Sequence, residues 1–315
     1  MRNEFAAELS AIAAEDDRVV LLSGDIGNRL FDKYKASFPD RFYNCGVAEA
    51  NMMSVAAGMA MSGLRPITYT ITPFTTTRCL EQIRVDVCYH KAPVIVVGVG
   101  AGLSYAGNGP THHSCEDIAI LRTLPNMTVI CPGDAWEVRS AMRACLQQDN
   151  PAYIRMGKKG EPLVHEGMPD FEIGKAIVMR QGSDVCLLST GNMLPNVLQA
   201  AEQLGKQGVS AQVVSFHTVK PLDGELLDRV FSRFWVVAAV EEHSIVGGFG
   251  GAVAEWMSDR PPQKARLLRI GVADKFLHEA GEQEYAREYF GLTPSAIADK
   301  TFQMYQAIAP LQVKA

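Results

Sequence analysis

Short apolar runs alternate with longer stretches of helical periodicity along the chain. In the first half, four runs have the length and β-branched content of strands that are buried on both faces. They are RVVLLSGD (18–25), RPITYTI (65–71), APVIVVGV (92–99) and MTVICPGD (127–134). The pattern between them predicts helices at 3–15, 48–61, 77–89 and 135–147. Alternating strands and helices are typical of a parallel sheet that is covered on both faces.

The alternation breaks at 156–173, a segment rich in Gly, Pro and charged residues. A second series follows. Its strands are predicted at 183–190, 210–219, 234–242 and 265–272, and its helices near 193–207, 223–230 and 247–258. We therefore predict an α/β protein of two domains, each a mostly parallel sheet flanked by helices. The predicted bounds are 1–162 for the first domain, 163–173 for a linker and 174–315 for the second domain.

Composition narrows the class of protein. The chain has 315 residues and a formal net charge of −5, so it lacks the basic surface that nucleic acids or anionic membranes require. The first 20 residues are amphipathic and acidic, unlike a signal peptide, and no apolar run reaches the ~18 residues of a membrane span. Seven cysteines at irregular spacings form no CxxC pair, which favours reduced thiols and a cytoplasmic protein.

Common phosphate-binding motifs are missing. No GxGxxG follows the first strand, and the glycine-rich GVGAGLSYAGNGP (98–110) does not open a helix in the way a dinucleotide site needs. The chain has no GxxxxGK[ST]. It also lacks the Gly-Asp-Gly with a downstream Asn that holds magnesium and diphosphate in thiamine enzymes.

Two segments of the first domain offer candidate functional side chains. Glu49 is a single acid in the first turn of a small, apolar helix, where position alone favours an acid that stabilises the helix N-terminus. Phe74 precedes a helix that carries Arg78. On its own, Phe74 is consistent with a hydrophobic staple, and Arg78 with a solvated helix face.

Further candidates lie in turns and at strand ends. His112 and His113 are adjacent on a Gly-Pro-Thr-His-His turn, which favours a position facing a cleft, although lone histidines are more often structural. Arg155 ends a strand-like run and could simply reach solvent. The acids and histidine at 241–243 are as consistent with an interface as with catalysis.

Taken together, these stretches resemble the C-terminal half of transketolases. The strongest pieces are FYNCGVAEANMMSVAAGMA, GNGPTHHSCEDIAILRTLPNMTVICPGD, and FHTVKPLD followed by EEHSIVGGFGGAVAE, in the family's order and spacing. The resemblance extends over nearly the whole chain. It implies a thiamine-diphosphate pyrimidine-binding domain followed by a transketolase C-terminal-like domain, as in the second subunit of a split, two-gene transketolase.

The resemblance gives Glu49 a catalytic role. In thiamine-diphosphate enzymes, the acid at this motif position hydrogen-bonds N1′ of the cofactor's aminopyrimidine ring. That bond makes N4′ basic enough to deprotonate the thiazolium C2, so the cofactor supplies the chemistry and the protein adjusts it. The other cofactor-binding residues that the resemblance implies are Phe74, stacked on the pyrimidine, Val47 as an apolar wall, and Asp25 and Ile26 near the thiazolium.

The substrate side follows from the same resemblance. His112 matches the family's active-site histidine, which hydrogen-bonds substrate hydroxyls near the reacting carbon, and His113 lies beside it. Arg2 and Arg155 match arginines that bind the substrate's terminal phosphate, and Arg78 falls near that region with a weaker match.

Two departures from the family's pattern concern the substrate. Transketolases place a histidine that helps to hold the sugar phosphate twelve residues before the position of His112, where this chain has Gly100. Single-chain enzymes often have histidine at the position of Asn51. The substrate's tail is therefore left open, as a phosphorylated, deoxy, sulfonated, branched or unphosphorylated sugar.

The resemblance implies transfer of a two-carbon ketol unit by thiamine diphosphate and Mg²⁺, with the diphosphate site supplied by a partner chain in an α2β2 heterotetramer. The chain itself is predicted to hold no metal. Three alternatives remain open from the sequence. They are a 2-oxo-acid dehydrogenase β-type subunit, an acyloin-forming enzyme like 1-deoxyxylulose-phosphate synthase, and a non-catalytic regulatory subunit.

Overall fold

In the computed structural model, which describes residues 1–27, 29–158 and 160–312, the chain forms two sheets flanked by helices. The strands of the first half are β1 Val19–Ser23, β2 Phe42–Asn44, β3 Arg65–Ile71, β4 Ile95–Val99, β5 Thr128–Ile130 and β6 Ala152–Met156. Its helices are α1 Arg2–Glu15, α2 Asp32–Ser37, α3 Glu49–Met61, α4 Thr72–Thr75, α5 Leu80–Gln82, α6 Asp117–Arg122 and α7 Ala135–Leu146.

The second half adds six strands and five helices within the described residues. Its strands are β7 Ile177–Arg180, β8 Val185–Ser189, β9 Ala211–Ser215, β10 Thr218–Lys220, β11 Val236–Ser244 and β12 Arg266–Val272. Its helices are α8 Leu194–Lys206, α9 Gly224–Arg233, α10 Phe249–Ser258, α11 Gln283–Phe290 and α12 Pro294–Gln312.

Both sheets are mostly parallel, which confirms the predicted fold class. The first has the order β10-β5-β6-β4-β3-β1-β2, and all its pairs are parallel except that of β10 with β5. The second has the order β12-β11-β8-β9-β7, and only β7 is antiparallel to its neighbour. Every residue of β1, β4 and β6 is buried, as expected of strands that are covered on both faces.

The structure divides one predicted strand between the two sheets. We predicted a single strand at 210–219, but β9 belongs to the second sheet and β10 pairs with β5 of the first sheet. The backbone N–H of Cys131 donates to the carbonyl of His217 at 2.7 Å, just before this pairing. A strand of the second half therefore completes the first sheet and ties the two halves together.

Other elements also differ from the sequence pattern. The predicted helix at 77–89 is only partly α-helical, because Ile83–Tyr89 winds as a π-helix. The short strands β2 and β7 and the helices α11 and α12 were not predicted. The predicted linker is bound on both sides, since the backbone N–H groups of Val164 and His165 each donate to Asp134 at 3.0 Å and the Phe171 ring stacks on His217.

Candidate active site

The candidate site lies where β1, β3 and β4 end, at the carboxyl edge of the first sheet. Glu49 is the first residue of α3, and its side chain is 2% exposed. A Cβ atom built at Gly24, just after β1, would lie 3.3 Å from Glu49 Cγ and 3.0 Å from Thr70 Oγ1. Because Gly24 has no side chain, the Glu49 side chain can pack beneath the end of β1.

Glu49 is paired with a half-exposed arginine. Arg78 Nη1 donates to Glu49 Oε2 at 3.0 Å, and the Arg78 side chain is 48% exposed. The same guanidinium lies over the Phe74 ring, with its central carbon 4.1 Å from the ring centroid. A planar cation thus rests on an aromatic face and donates to a buried carboxylate.

A row of rings continues from Phe74 along the edge of the sheet. The centroids of Phe74 and His112 are 5.2 Å apart, and those of His112 and Tyr105 are 6.2 Å apart, both edge to face. Burial, followed by the charge of His113, lowers the pKa of His112. The imidazole is therefore neutral near pH 7, where it can exchange hydrogen bonds with a hydroxyl group.

His113 points elsewhere. Its Nε2 lies 3.0 Å from the carbonyl oxygen of Ala106, and the ring lines a cavity of about 170 Å³ that it shares with Phe276 and Lys275 of the second half. The two adjacent histidines therefore serve different surfaces, and only His112 joins the row of rings.

The loop after β1 flanks Glu49 and is held by side-chain hydrogen bonds. Asp25 has a positive φ of 58°, and its Oδ1 accepts from Asn44 Nδ2 at 2.9 Å. Ser23 Oγ donates to the carbonyl of Ile26 at 2.8 Å. Val47, two residues before Glu49, is 81% exposed.

The expectation that Arg155 binds a substrate's phosphate meets contrary evidence. The Arg155 side chain is only 2% exposed, and its guanidinium donates to both carboxylate oxygens of Asp117, at 2.7 and 3.2 Å. It also donates to the carbonyl oxygens of Ser114 and Glu242. These partners use the guanidinium inside the protein, so Arg155 acts as a structural anchor between the two halves.

The acids and histidine at 241–243 likewise form an interface. Glu242 accepts from the backbone N–H of Leu103 at 2.9 Å and from the side chains of Gln283 and Arg287. Burial raises the pKa of Glu241 to about 7, against the two backbone N–H groups at the start of α10 that bind it. Burial also lowers the pKa of His243 to about 4. All three side chains are bound to other parts of the same chain, since the backbone N–H of Ala119 also donates to His243, which favours the interface over catalysis.

The residues around Glu49 suit a planar heterocycle such as the pyrimidine of thiamine diphosphate. Gly24 leaves a cradle that a single Cβ would fill, and Thr70 Oγ1 beside it is buried without a hydrogen-bond partner among the described residues. Phe74 offers an aromatic face, which the Arg78 guanidinium covers in this structure. Glu49, Phe74 and Val47 could hold the ring, and Asp25 and Ile26 lie at the adjoining loop.

One side chain near the site was not anticipated from the sequence. The ring of Tyr105 lies directly over Gly100, where a built Cβ would come within 1.8 Å of Tyr105 Cε2. The sequence shows only that position 100 has no side chain. It does not indicate that the Tyr105 ring packs against this glycine.

A buried acid near an aromatic ring at the carboxyl edge of a parallel sheet, followed by a second and smaller sheet, agrees with the pyrimidine-binding class of thiamine-diphosphate domain that the sequence resembles. Residues 1–161 match the transketolase pyrimidine-binding domain, and residues 174–297 match the transketolase C-terminal domain. The chain therefore belongs to the transketolase family.

Two relatives of similar length are named as transketolase subunits. The 6-deoxy-6-sulfo-D-fructose transketolase subunit SqwH of Clostridium sp. (strain MSTE9) is 38% identical, covering 94% of this chain and 92% of that protein. An apulose-4-phosphate transketolase subunit of Phocaeicola vulgatus is 32% identical, covering 91% and 92%. A solved structure described as a split gene transketolase, inactive beta4 tetramer, has a TM-score of 0.87 at 33% identity and covers 97% of both chains.

Longer relatives also match. A 1-deoxy-D-xylulose-5-phosphate synthase of Synechococcus sp. (strain JA-2-3B'a(2-13)) is 38% identical over 96% of this chain, which spans 47% of that protein. In the part of this chain that the structure describes, no helix is long and apolar enough to cross a membrane. The same residues contain no group of three or more His, Cys, Asp or Glu side chains placed to hold a metal ion.

Proposed function

We propose that this chain is the pyrimidine-binding subunit of a thiamine-diphosphate-dependent transketolase, which moves a two-carbon ketol unit from a ketose to an aldose. The observation that carries the proposal is the buried Glu49 carboxylate beside the Phe74 face. When bound, thiamine diphosphate supplies the carbon nucleophile of the reaction.

Glu49 is the residue that shares a proton with the pyrimidine N1′. Its side chain is nearly inaccessible to water, so a hydrogen bond made there is not weakened by competing solvent. Arg78 satisfies the carboxylate before the ring arrives. Because this guanidinium is half exposed, it can return to water at a low desolvation cost, which a fully buried partner could not do.

His112 is the residue that orients the substrate. It is partly buried, neutral near pH 7, and in edge-to-face contact with the Phe74 ring, which places it one ring away from the cofactor face. A neutral imidazole can donate to or accept from a hydroxyl group on the carbons that react. Its Nδ1 lies 3.0 Å from Thr111 Oγ1, which fixes the ring's direction.

The diphosphate and Mg²⁺ sites belong to a partner chain in this proposal. The sequence has no Gly-Asp-Gly with a downstream Asn, so it lacks the family's means of holding them. The split transketolase that resembles this chain is described as inactive when it is a β4 tetramer, which supports the need for a partner. We propose an α2β2 heterotetramer in the cytoplasm.

The test is reconstitution with a partner chain that carries the missing motif, which should be sought first among the products of neighbouring genes. The purified complex should transfer a ketol unit from xylulose 5-phosphate to an aldose in the presence of thiamine diphosphate and Mg²⁺, while this chain alone should not. A complex that binds its cofactor but turns over none of a panel of ketoses would contradict the proposal.

A second candidate activity is acyloin formation from pyruvate. It is favoured by the match to 1-deoxy-D-xylulose-5-phosphate synthases, which extends over 96% of this chain. The same complex should be assayed with pyruvate and an aldehyde, and with pyruvate and a lipoyl acceptor. Turnover of pyruvate and none of the ketoses would replace ketol transfer with this candidate or with a 2-oxo-acid dehydrogenase. A regulatory subunit without catalysis would show neither activity.

A further inference from the structure

The loop of residues 103–113, which carries His112, closes at a base formed by two residues. The backbone N–H of Gly102 donates to the carbonyl of Ser114 at 2.9 Å, and the N–H of Ser114 donates to the carbonyl of Gly102 at the same distance. Beyond this base, the His112 ring reaches edge-to-face contact with Phe74, with the centroids 5.2 Å apart. The position of the base therefore decides where His112 stands relative to Phe74.

Glu242, in β11 of the second half, is bound to both ends of this base. Its side chain is 0% exposed, and its Oε1 accepts from the backbone N–H of Leu103 at 2.9 Å. Its own carbonyl oxygen accepts from Arg155 Nη2 at 3.0 Å, and the same nitrogen donates to the carbonyl of Ser114 at 3.0 Å. One residue of the second half thus holds the outgoing end of the loop directly and the returning end through Arg155.

The contact between Glu242 and the loop base requires a glycine. Gly102 has φ of +63°, and a Cβ atom built there would lie 2.6 Å from both the carbonyl oxygen and Oε1 of Glu242. A side chain at position 102 would push the two elements apart. Because the contact is this close, a displacement of Glu242 must also displace the base of the loop.

The second half fixes the Glu242 carboxylate with several donors. Gln283 Nε2 donates to its two oxygens at 3.0 and 3.1 Å, Asn192 Nδ2 donates at 3.2 Å, and Arg287 Nε forms an ion pair with it. Gln283 and Asn192 also donate to Ser104 Oγ in the loop, at 3.3 and 3.5 Å. A carboxylate that accepts charge-assisted and neutral hydrogen bonds on both oxygens is held in one orientation.

We propose that Glu242 is a positioning residue for ketol transfer, which holds the loop 103–113 so that His112 stays beside the Phe74 face. This inference rests on the proposed function. Glu242 acts through the loop, whereas Glu49 is placed by α3 and by the cradle at Gly24. The second domain therefore contributes to the steps that need His112 and leaves activation of the cofactor by Glu49 unchanged.

The test compares two rates in the complex with the partner chain. The exchange of the cofactor's C2 hydrogen with deuterium depends on Glu49, whereas ketol transfer also depends on His112. Glu242→Gln should lower kcat for transfer by about 10-fold to 100-fold, because a displacement of about 1 Å has an effect of this size. The C2 exchange should stay within about twofold of the unmutated complex. Equal losses in both rates, or no loss in either, would overturn the inference.

Glu284→Gln is the matched control. It makes the same change at the other carboxylate that binds Arg287, at 3.0 Å, and this acid is 76% exposed. Neither rate should change in this variant. If Glu242→Gln does not fold, because the buried Arg287 loses its partner, Gly102→Ala takes its place. That variant displaces the loop base with every charge retained, and it should lower the transfer rate and spare the C2 exchange. Any other result with Gly102→Ala would then count against the inference.

A double variant tests whether Glu242 acts through His112. In a complex that already carries His112→Ala, Glu242→Gln should lower kcat for transfer by less than about twofold, because the residue that it positions is gone. A loss as large as in the single variant would show that Glu242 acts on something else.

The two hypotheses fail in different ways. If the complex transfers ketol units but the two rates do not separate in the Glu242 variant, only the positioning role is wrong. If the complex transfers no ketol unit, the proposed function is wrong, and the position of His112 is then judged by NMR titration of the full chain. Burial lowers the pKa of His112, so Glu242→Gln should let that pKa rise towards its ordinary value of 6.5, and Glu284→Gln should not. An unchanged pKa of His112 in the Glu242 variant would overturn the inference.

Discussion

Two carboxylate–guanidinium pairs of this chain have the same chemistry but opposite surroundings. At the edge of the first sheet, Glu49 is 2% exposed but its partner Arg78 is 48% exposed. Between the two halves, Asp117 and Arg155 are 0% and 2% exposed. The first pair has one contact at 3.0 Å, whereas the second is bidentate.

The difference in burial separates a pair that can open at a binding site from a pair that is purely structural. Arg155 is surrounded by further acceptors, the carbonyl oxygens of Ser114 and Glu242, and Tyr153 donates to Asp117 at 2.7 Å. Breaking such a pair leaves a buried charge without a partner, so it cannot open during function. Arg78 can exchange its carboxylate for water, which leaves Glu49 free to bind something else. Burial of both partners, rather than the presence of an ion pair, distinguishes the two roles.

The largest expected effect is the loss of activity when the Glu49–Arg78 pair is changed. Glu49→Gln keeps the shape of the side chain but removes the group that shares a proton with N1′. We expect kcat of the reconstituted complex to fall by about 10²–10⁴-fold, the range for general acid–base groups. The free energy of unfolding should change by less than about 1 kcal/mol, because the lost pair has an exposed partner. Unchanged turnover would remove Glu49 from the mechanism.

The corresponding substitution of a carboxylate by an amide at the buried pair should lower stability. Asp117→Asn leaves Arg155 charged and buried, so the free energy of unfolding should fall by about 3–5 kcal/mol, measured by urea denaturation. Glu255→Gln, at an exposed acid paired with Arg122, is the control and should cost less than about 1 kcal/mol. Equal effects of the two variants would show that burial does not separate these pairs.

A smaller effect is expected from Arg78→Ala. The guanidinium covers one face of Phe74 and pairs with Glu49, and both contacts compete with a bound ring. Cation–π and half-exposed ion-pair contacts are each worth roughly 1 kcal/mol or less. Their removal should tighten thiamine diphosphate binding to the complex by about 5-fold, measured by calorimetry. Weaker binding would show that Arg78 helps to hold the cofactor.

The smallest effect concerns the linker. Burial lowers the pKa of His165, but the hydrogen bond and charge of Glu137, 2.9 Å away, outweigh it and leave the pKa raised. Burial raises the pKa of Glu137, and His165 and nearby groups outweigh it and leave that pKa lowered. The stability from His165 is therefore complete below its ordinary value of 6.5 and is lost as pH rises through its raised pKa.

The contribution of Glu137 has the opposite sign. It is present above the ordinary value of 4.5 and is lost as pH falls through the lowered pKa. The linker should thus be held best between about pH 4.5 and 6.5, the ordinary pKa values of the two groups. Amide hydrogen exchange at 163–173, corrected for its intrinsic pH dependence, should quicken above that window. His165→Asn should remove the dependence, and a pH dependence that survives this change would contradict the assignment.

The fold class followed from the alternation of strands and helices along the sequence. The grouping of Glu49, Phe74 and His112 followed from the resemblance to transketolases. Their roles stay predictions. The burial of Arg155 could not be predicted, because it depends on Asp117, 38 residues earlier, and on the carbonyl of Glu242 in the second half. The pairing of β10 with the first sheet is equally non-local. Tyr105 could not be found because no periodicity reveals which ring packs over a glycine.

The most direct test of Glu49 is the rate at which the C2 hydrogen of thiamine diphosphate exchanges with deuterium in the complex, followed by NMR after acid quench. The unmutated complex should speed this exchange far beyond that of the free cofactor. Glu49→Gln, with cofactor bound to the same extent, should slow it by at least about 100-fold, within the range for such groups. Exchange in the variant as fast as in the unmutated complex would contradict the account.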